Sequence, residues 1–122
     1  MHELSIGQGI VQAVLAELAG RGLPPGALRA ARIAVGALHQ IVPDTLVFAY
    51  ESLTQNTPAA GSKLVLRPVP VTARCKACGW QGALEVPLFL CGACQSGEIE
   101  LITGMELHLE SLEVDEHGDA EH

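Results

Sequence analysis

Aromatic side chains are almost missing from this chain: one Trp, one Tyr and two Phe make up 3 % of its 122 residues, so any core it builds is aliphatic. Basic side chains are scarce as well. Seven Lys and Arg face 14 Asp and Glu, for a net charge of −7. Nucleic acid is thereby disfavoured as the main partner, because phosphate binding needs clustered Lys and Arg. No apolar run approaches the roughly 20 residues of a membrane span. The apolar start is broken by Glu3 and Glu17 and lacks a basic leading region, so no secretory signal is expected and the location implied is cytoplasmic. What is present is an apolar fraction of 48 %, enough for a core of one domain, or of a small domain with a smaller insert.

Residues 2–20 read as an amphipathic helix. Ile6, Ile10, Val14 and Leu18 are spaced by four, and Leu4, Val11 and Leu15 widen that face. Gly20 and Gly22 can supply a left-handed C-terminal cap, and Pro24 and Pro25 stop the helix. Residues 28–37 read as a strand, with Ala31, Ile33 and Val35 alternating against Arg32 and Ala34. Pro43 and Asp44 mark a second helix start, with Leu46, Ala49, Tyr50 and Leu53 as its apolar face and an end near Asn56. A second strand covers 63–72. Pro68 and Pro70 place it at a sheet edge or interrupt it. Residues 98–114 read as a long strand or hairpin-like pair. Met105, Leu107 and Leu109 share one phase and Leu112 and Val114 the other, as a β-bulge near Glu110 and Ser111 would produce. The acidic tail, 115–122, is expected to be disordered.

Cys75, Cys78, Cys91 and Cys94 form C-x2-C-x12-C-x2-C. Two residues between cysteines let both thiolates of a tight turn face one ion, and two such turns complete a tetrahedral sulfur cage. In a reducing compartment this reading is preferred to disulfides. Four thiolates around a divalent cation carry a formal charge of about −2, which Arg74 and Lys76 can offset. Gly79 and Gly92 permit the left-handed backbone such turns use. A saturated cage has no open position, so the expected role is structural zinc. Iron uses the same ligands, and a pair of redox dithiols is the alternative without metal. Trp80 is expected to pack over this small lobe.

The chain opens Met-His-Glu, with the apolar stripe already running at Leu4. Taken alone, His2 reads as a surface residue. Three features raise a functional reading. The terminal amine is a good ligand once deprotonated, imidazole is a borderline nitrogen donor, and the first amides of a helix lack intrahelical acceptors. Nitrogen ligation of this kind suits Ni(II) or Cu(II).

With these features in order, the chain resembles the HypA family of hydrogenase-maturation nickel metallochaperones, over nearly its whole length. The resemblance lies in Met1-His2-Glu3, the amphipathic helix, a strand ending in Val35-Gly36, the helix "LVFAYESL", the turn "AAG", a strand, the two CxxC pairs and the closing "GMELHLESLEVDE". It implies that His2 is the essential nickel ligand. It also implies that Glu3 contributes through its backbone or a nearby contact, and that Cys75, Cys78, Cys91 and Cys94 hold zinc. The implied partners are the GTPase HypB and the large subunit of a [NiFe] hydrogenase, with urease maturation proteins as a further set. Some archaeal relatives carry a long insert with an additional nickel-binding histidine between the CxxC pairs. Here only twelve residues and no histidine lie there, so the fourth nickel donor is unassigned.

The expected architecture is α/β (α+β). Two helices pack on a small mixed sheet from strands near 28–37, 63–72 and 98–114. Residues 1–72 plus 98–114 form the nickel-binding domain, and 73–97 an inserted zinc-ribbon-like lobe held mainly by its metal. Nickel is a transferable cargo, zinc a structural ion, and the protein, a monomer or homodimer, is not an enzyme. An exposed site of few ligands suits release. Its affinity is expected to fall in acid, through the usual histidine range near about 6.5. His39 is expected to serve a turn, His108 to lie on a solvated sheet face, and His117 and His122 to lie in the tail. The rival readings are a zinc-ribbon adaptor that binds a protein without nickel, and a thiol redox protein.

Overall fold

The computed structural model describes residues 2–85 and 88–115. The chain forms two compact units. The first is Met1–Ile33, Ile41–Leu66 and His108–His122, and the second is Ala34–Gln40 with Arg67–Leu107. In chain order the elements are α1 (His2–Arg21), β1 (Leu28–Gly36), a 3-10 turn (Ala37–His39), α2 (Pro43–Leu53), β2 (Lys63–Val69), β3 (Thr72–Cys75), β4 (Gln81–Ala83), β5 (Ile99–Thr103) and β6 (Leu107–Val114). One sheet has the order β2–β1–β6, the other β4–β3–β5.

In the first unit, α1 buries Glu3, Gly7, Ile10, Val11, Val14 and Leu18. The buried stripe thus starts at Glu3 rather than Leu4, which is 44 % exposed. Gly7 lets α2 approach closely: a Cβ there would lie 3.3 Å from Ala49 Cβ and 3.4 Å from Leu53 Cδ1. Helix α1 ends as its glycines suggest. Gly22, at φ +65°, takes the left-handed position. Its N–H donates to Ala19 O and that of Leu23 to Leu18 O, a Schellman pair. Pro43 opens α2 at the position where its missing N–H is harmless. The helix ends at Leu53, three residues ahead of Asn56, and the Thr54 hydroxyl donates back to Tyr50 O at 2.9 Å. Val14, Leu18, Ala31, Ile33, Leu46, Tyr50, Thr54 and Ala59 are the innermost side chains of this unit.

In the second unit, β3 pairs antiparallel with both β4 and β5. The segment 73–97 falls within this unit, and so does β5. The stretch read as one strand or pair over 98–114 is therefore two strands in two different sheets. Gly104 separates them, at φ +118° and packed against Val71, where a Cβ would meet the Val71 backbone at 2.9 Å. Met105 lies outside both strands and is 59 % exposed, against its expected phase with Leu107. The phase change within β6 is present: Leu107, Leu109, Leu112 and Val114 are half-buried, while Glu110 and Ser111 are both exposed. The prolines act as expected. β2 lies at an edge, and Pro70 falls in the break before β3. Of the acidic tail only Asp115 is described, its N–H donating to Ala27 O at 2.7 Å; His117 and His122 lie outside the described residues.

Candidate metal centres

The sulfur cluster is built from two tight turns. In each, the first cysteine is buried and the second exposed: Cys75 and Cys91 inside, Cys78 and Cys94 outside. Backbone amides aim at the inner sulfurs. Cys75 Sγ accepts from the N–H of Ala77 (3.3 Å) and Cys78 (3.4 Å), and Cys91 Sγ from Ala93 and Cys94, both at 3.2 Å. At Cys91 these bonds favour the thiolate form. Gly79 holds the left-handed position after the first turn, at φ +84°. The equivalent residue after the second turn is Gln95, at φ +62°, and not Gly92. Gly92 has a different duty. A Cβ there would stand 2.7 Å from the Trp80 ring, and one on Gly82 would do the same. Trp80 thus lies flat against both glycines, and packs over the lobe as its position in the sequence suggests.

Cys75 Sγ lies 3.7 Å from Cys94 Sγ, and Cys78 Sγ 3.5 Å from Cys91 Sγ. All four sulfurs fall within 4.8 Å of one another. A zinc ion about 2.3 Å from each sulfur sets tetrahedral edges of about 3.8 Å. The donor set and spacing therefore fit a four-thiolate metal cage. Proton affinity is divided unevenly across it. For Cys91, burial pushes the thiol up, but the N–H groups of Cys94 and Ala93 and the neighbouring sulfurs bring it down to about 6. For Cys78, the Trp80 backbone works to lower it, while the Cys91 sulfur, burial and the other two sulfurs push it up to about 12. A divalent cation replaces those shared protons, so uptake releases protons and acid favours loss of the metal.

The second candidate lies at the start of α1. His2 is the first described residue, and its side chain is 55 % exposed. Met1 lies outside the described residues. The Glu3 side chain turns inward instead. Its Oε2 accepts the N–H of Val42 at 3.1 Å and stands 3.7 Å from His2 Nε2. The Val42 N–H, its own N–H and, more weakly, His2 and the chain start hold its carboxyl below the ordinary range. The Val42 contact was not anticipated from sequence. Its signal was there: Glu3 lies four residues ahead of Gly7, on the buried stripe. His39 is spent elsewhere, its Nε2–H donating to Met105 O at 3.1 Å within the second unit. His108 is exposed on β6.

Known proteins resemble the chain over nearly all of its length. Residues 1–114 match the family model described as "Hydrogenase/urease nickel incorporation, metallochaperone, hypA". The hydrogenase maturation factor HypA of Desulfosudis oleivorans is 40 % identical over 120 residues, covering 95 % of this chain and all of that one. The factor of the same name from Nostoc sp. is 37 % identical over 116 residues, covering 95 % of this chain and 97 % of the relative. Two solution structures share the fold. The Ni metallochaperone HypA from Helicobacter pylori has a TM-score of 0.62 at 20 % identity, over 92 % of this chain and 96 % of that one. Another HypA protein has 0.64 at 22 %, over 93 % and 96 %.

Proposed function

The chain belongs to the HypA family, and from that premise we propose that it takes up Ni(II) at its first residues and passes it on during maturation of a [NiFe] hydrogenase, with urease as the alternative client. The observation that carries this is the start of α1. An exposed imidazole at His2 stands at the start of α1, whose first amides lack intrahelical acceptors. The proposed ligands are His2 and the backbone of Glu3, completed by the Met1 amine. Such a site holds an ion of nitrogen-preferring chemistry and leaves it accessible to a recipient.

Cys75, Cys78, Cys91 and Cys94 are assigned to structural zinc. Their cage supplies four thiolates, which leaves no position for transfer. The proposed role is carriage and not catalysis, in the cytoplasm, with the GTPase HypB and a hydrogenase large subunit as partners. Among the described residues no helix is long and apolar enough to cross a membrane.

The test is calorimetric nickel titration of untagged, zinc-loaded protein against His2→Ala. The proposal expects stoichiometric uptake by the wild type and its loss in the variant. Equal behaviour of the two would favour a zinc-ribbon adaptor. Freely reactive thiols with no stoichiometric metal would favour a redox protein.

A further inference from the structure

Glu3 is a carboxylate on the buried face of a helix, 8 % exposed, in a unit whose core is mostly aliphatic. Burying an anion is expensive unless it is hydrogen-bonded. Its partners are the backbone N–H of Val42, 39 residues away in sequence, and its own N–H. Val42 is the N-cap of α2 and offers no side-chain cap, while Pro43 behind it has no N–H to give. One carboxylate therefore joins the amino-terminal ends of both helices, where backbone N–H groups are unsatisfied and the helix dipoles favour negative charge.

We propose that Glu3 is the positioning residue of the nickel site: its carboxylate, tied to the Val42 N–H, pins the first turn of α1 to the start of α2 and so fixes the direction in which His2 and the neighbouring amides present their nitrogens. The proposal rests on the nickel reading above and adds a role for a side chain that need not touch the ion. His2 Nε2 lies 3.7 Å from the same oxygen, so the carboxylate also stands beside the imidazole it would steer. Without the tie, the first turn frays as helix ends do. Nickel would then have to order the donors as it binds, and affinity falls by the work of ordering them.

The experiment titrates nickel into untagged, zinc-loaded wild type, His2→Ala, Glu3→Gln, Glu3→Ala and Val42→Pro, and follows thermal unfolding and amide exchange in each. Glu3→Gln keeps an acceptor oxygen for Val42 and loses the charge. It should bind nickel close to the wild-type affinity and keep the Val42 amide protected. Glu3→Ala should weaken nickel by about 10- to 100-fold, as loss of an orienting partner outside the ligand set does, and release the Val42 amide. Val42→Pro suits the local backbone, at φ −84°. It removes the donor, alters no nickel ligand, and should weaken nickel in the same direction while zinc is retained. Glu3→Gln as weak as Glu3→Ala would show a charge or a direct ligand and overturn the proposal. Wild-type affinity in Val42→Pro would overturn it too, even if Glu3→Ala fails to fold. A wild type that takes up no nickel would overturn the function itself, an outcome distinct from these.

Discussion

Tyr50 carries a polar group deep in the first unit, fully buried and hydrogen-bonded to Ser62 at 2.7 Å. The direction of that bond follows from proton counting. Ser62 Oγ already donates to Ala59 O at 2.6 Å, so the phenol must donate to Ser62. Burial pushes the Tyr50 pKa above its ordinary 10.0. Folding thus favours the neutral phenol. Its contribution is complete below pH 10 and is lost as pH rises through the higher folded value. Tyr50→Phe should cost about 1 kcal/mol at neutral pH and reduce the fall in melting temperature above pH 10; thermal scans of both proteins across that window decide it. The surface pair behaves differently. Arg74 Nη2 meets Glu100 Oε1 at 2.7 Å, but both side chains are more than half exposed. Arg74→Ala should change stability by about 1 kcal/mol at most, and a loss of several times that in denaturant titration would contradict this.

Elements here are constrained most sharply where backbones cross. Gly36, at the end of β1, donates its N–H to Glu106 O at 2.7 Å, and Leu38 donates to Gly104 O at 3.0 Å. A Cβ on Gly36 would stand 2.0 Å from Gly104 O, which is backbone and cannot swing aside. Gly36→Ala should therefore destabilise the second unit by about 3 kcal/mol, the upper end of overpacking. Amide exchange at Leu38 should report it, and unchanged protection there would contradict the crossing. Gly7 is the milder case, since its neighbours are side chains. Gly7→Leu should separate α1 from α2 and cost about 1–3 kcal/mol, measured by the same scans. The reason for Val35-Gly36 is thus a close approach that a strand pattern cannot announce.

For the molecule as a whole, two units of different chemistry imply different responses to metal removal. The second has few buried apolar side chains around its cysteines, so chelating the cage metal should unfold the turns at 75–79 and 91–95. The first unit should keep its Val14 and Ile33 signals, and their collapse on chelation would contradict this. Much of the plan was legible because it is local. Cysteine spacing, the Gly22 cap, Pro43 and the edge prolines each act within a few residues. What was not legible depends on residues far apart in the chain: the Glu3–Val42 bond, the assignment of 99–103 to β3, and Gly92 set against Trp80 while Gln95 takes the left-handed turn. A phase count cannot see Gly104 break a strand that would otherwise read through. The central claim is that nitrogen at the chain start holds the transferable ion while sulfur holds a different one. Nickel-edge X-ray absorption of the untagged, zinc-loaded protein with one equivalent of nickel tests it most directly. The prediction is a first shell of nitrogen and oxygen scatterers with no sulfur. A sulfur shell at nickel would contradict it.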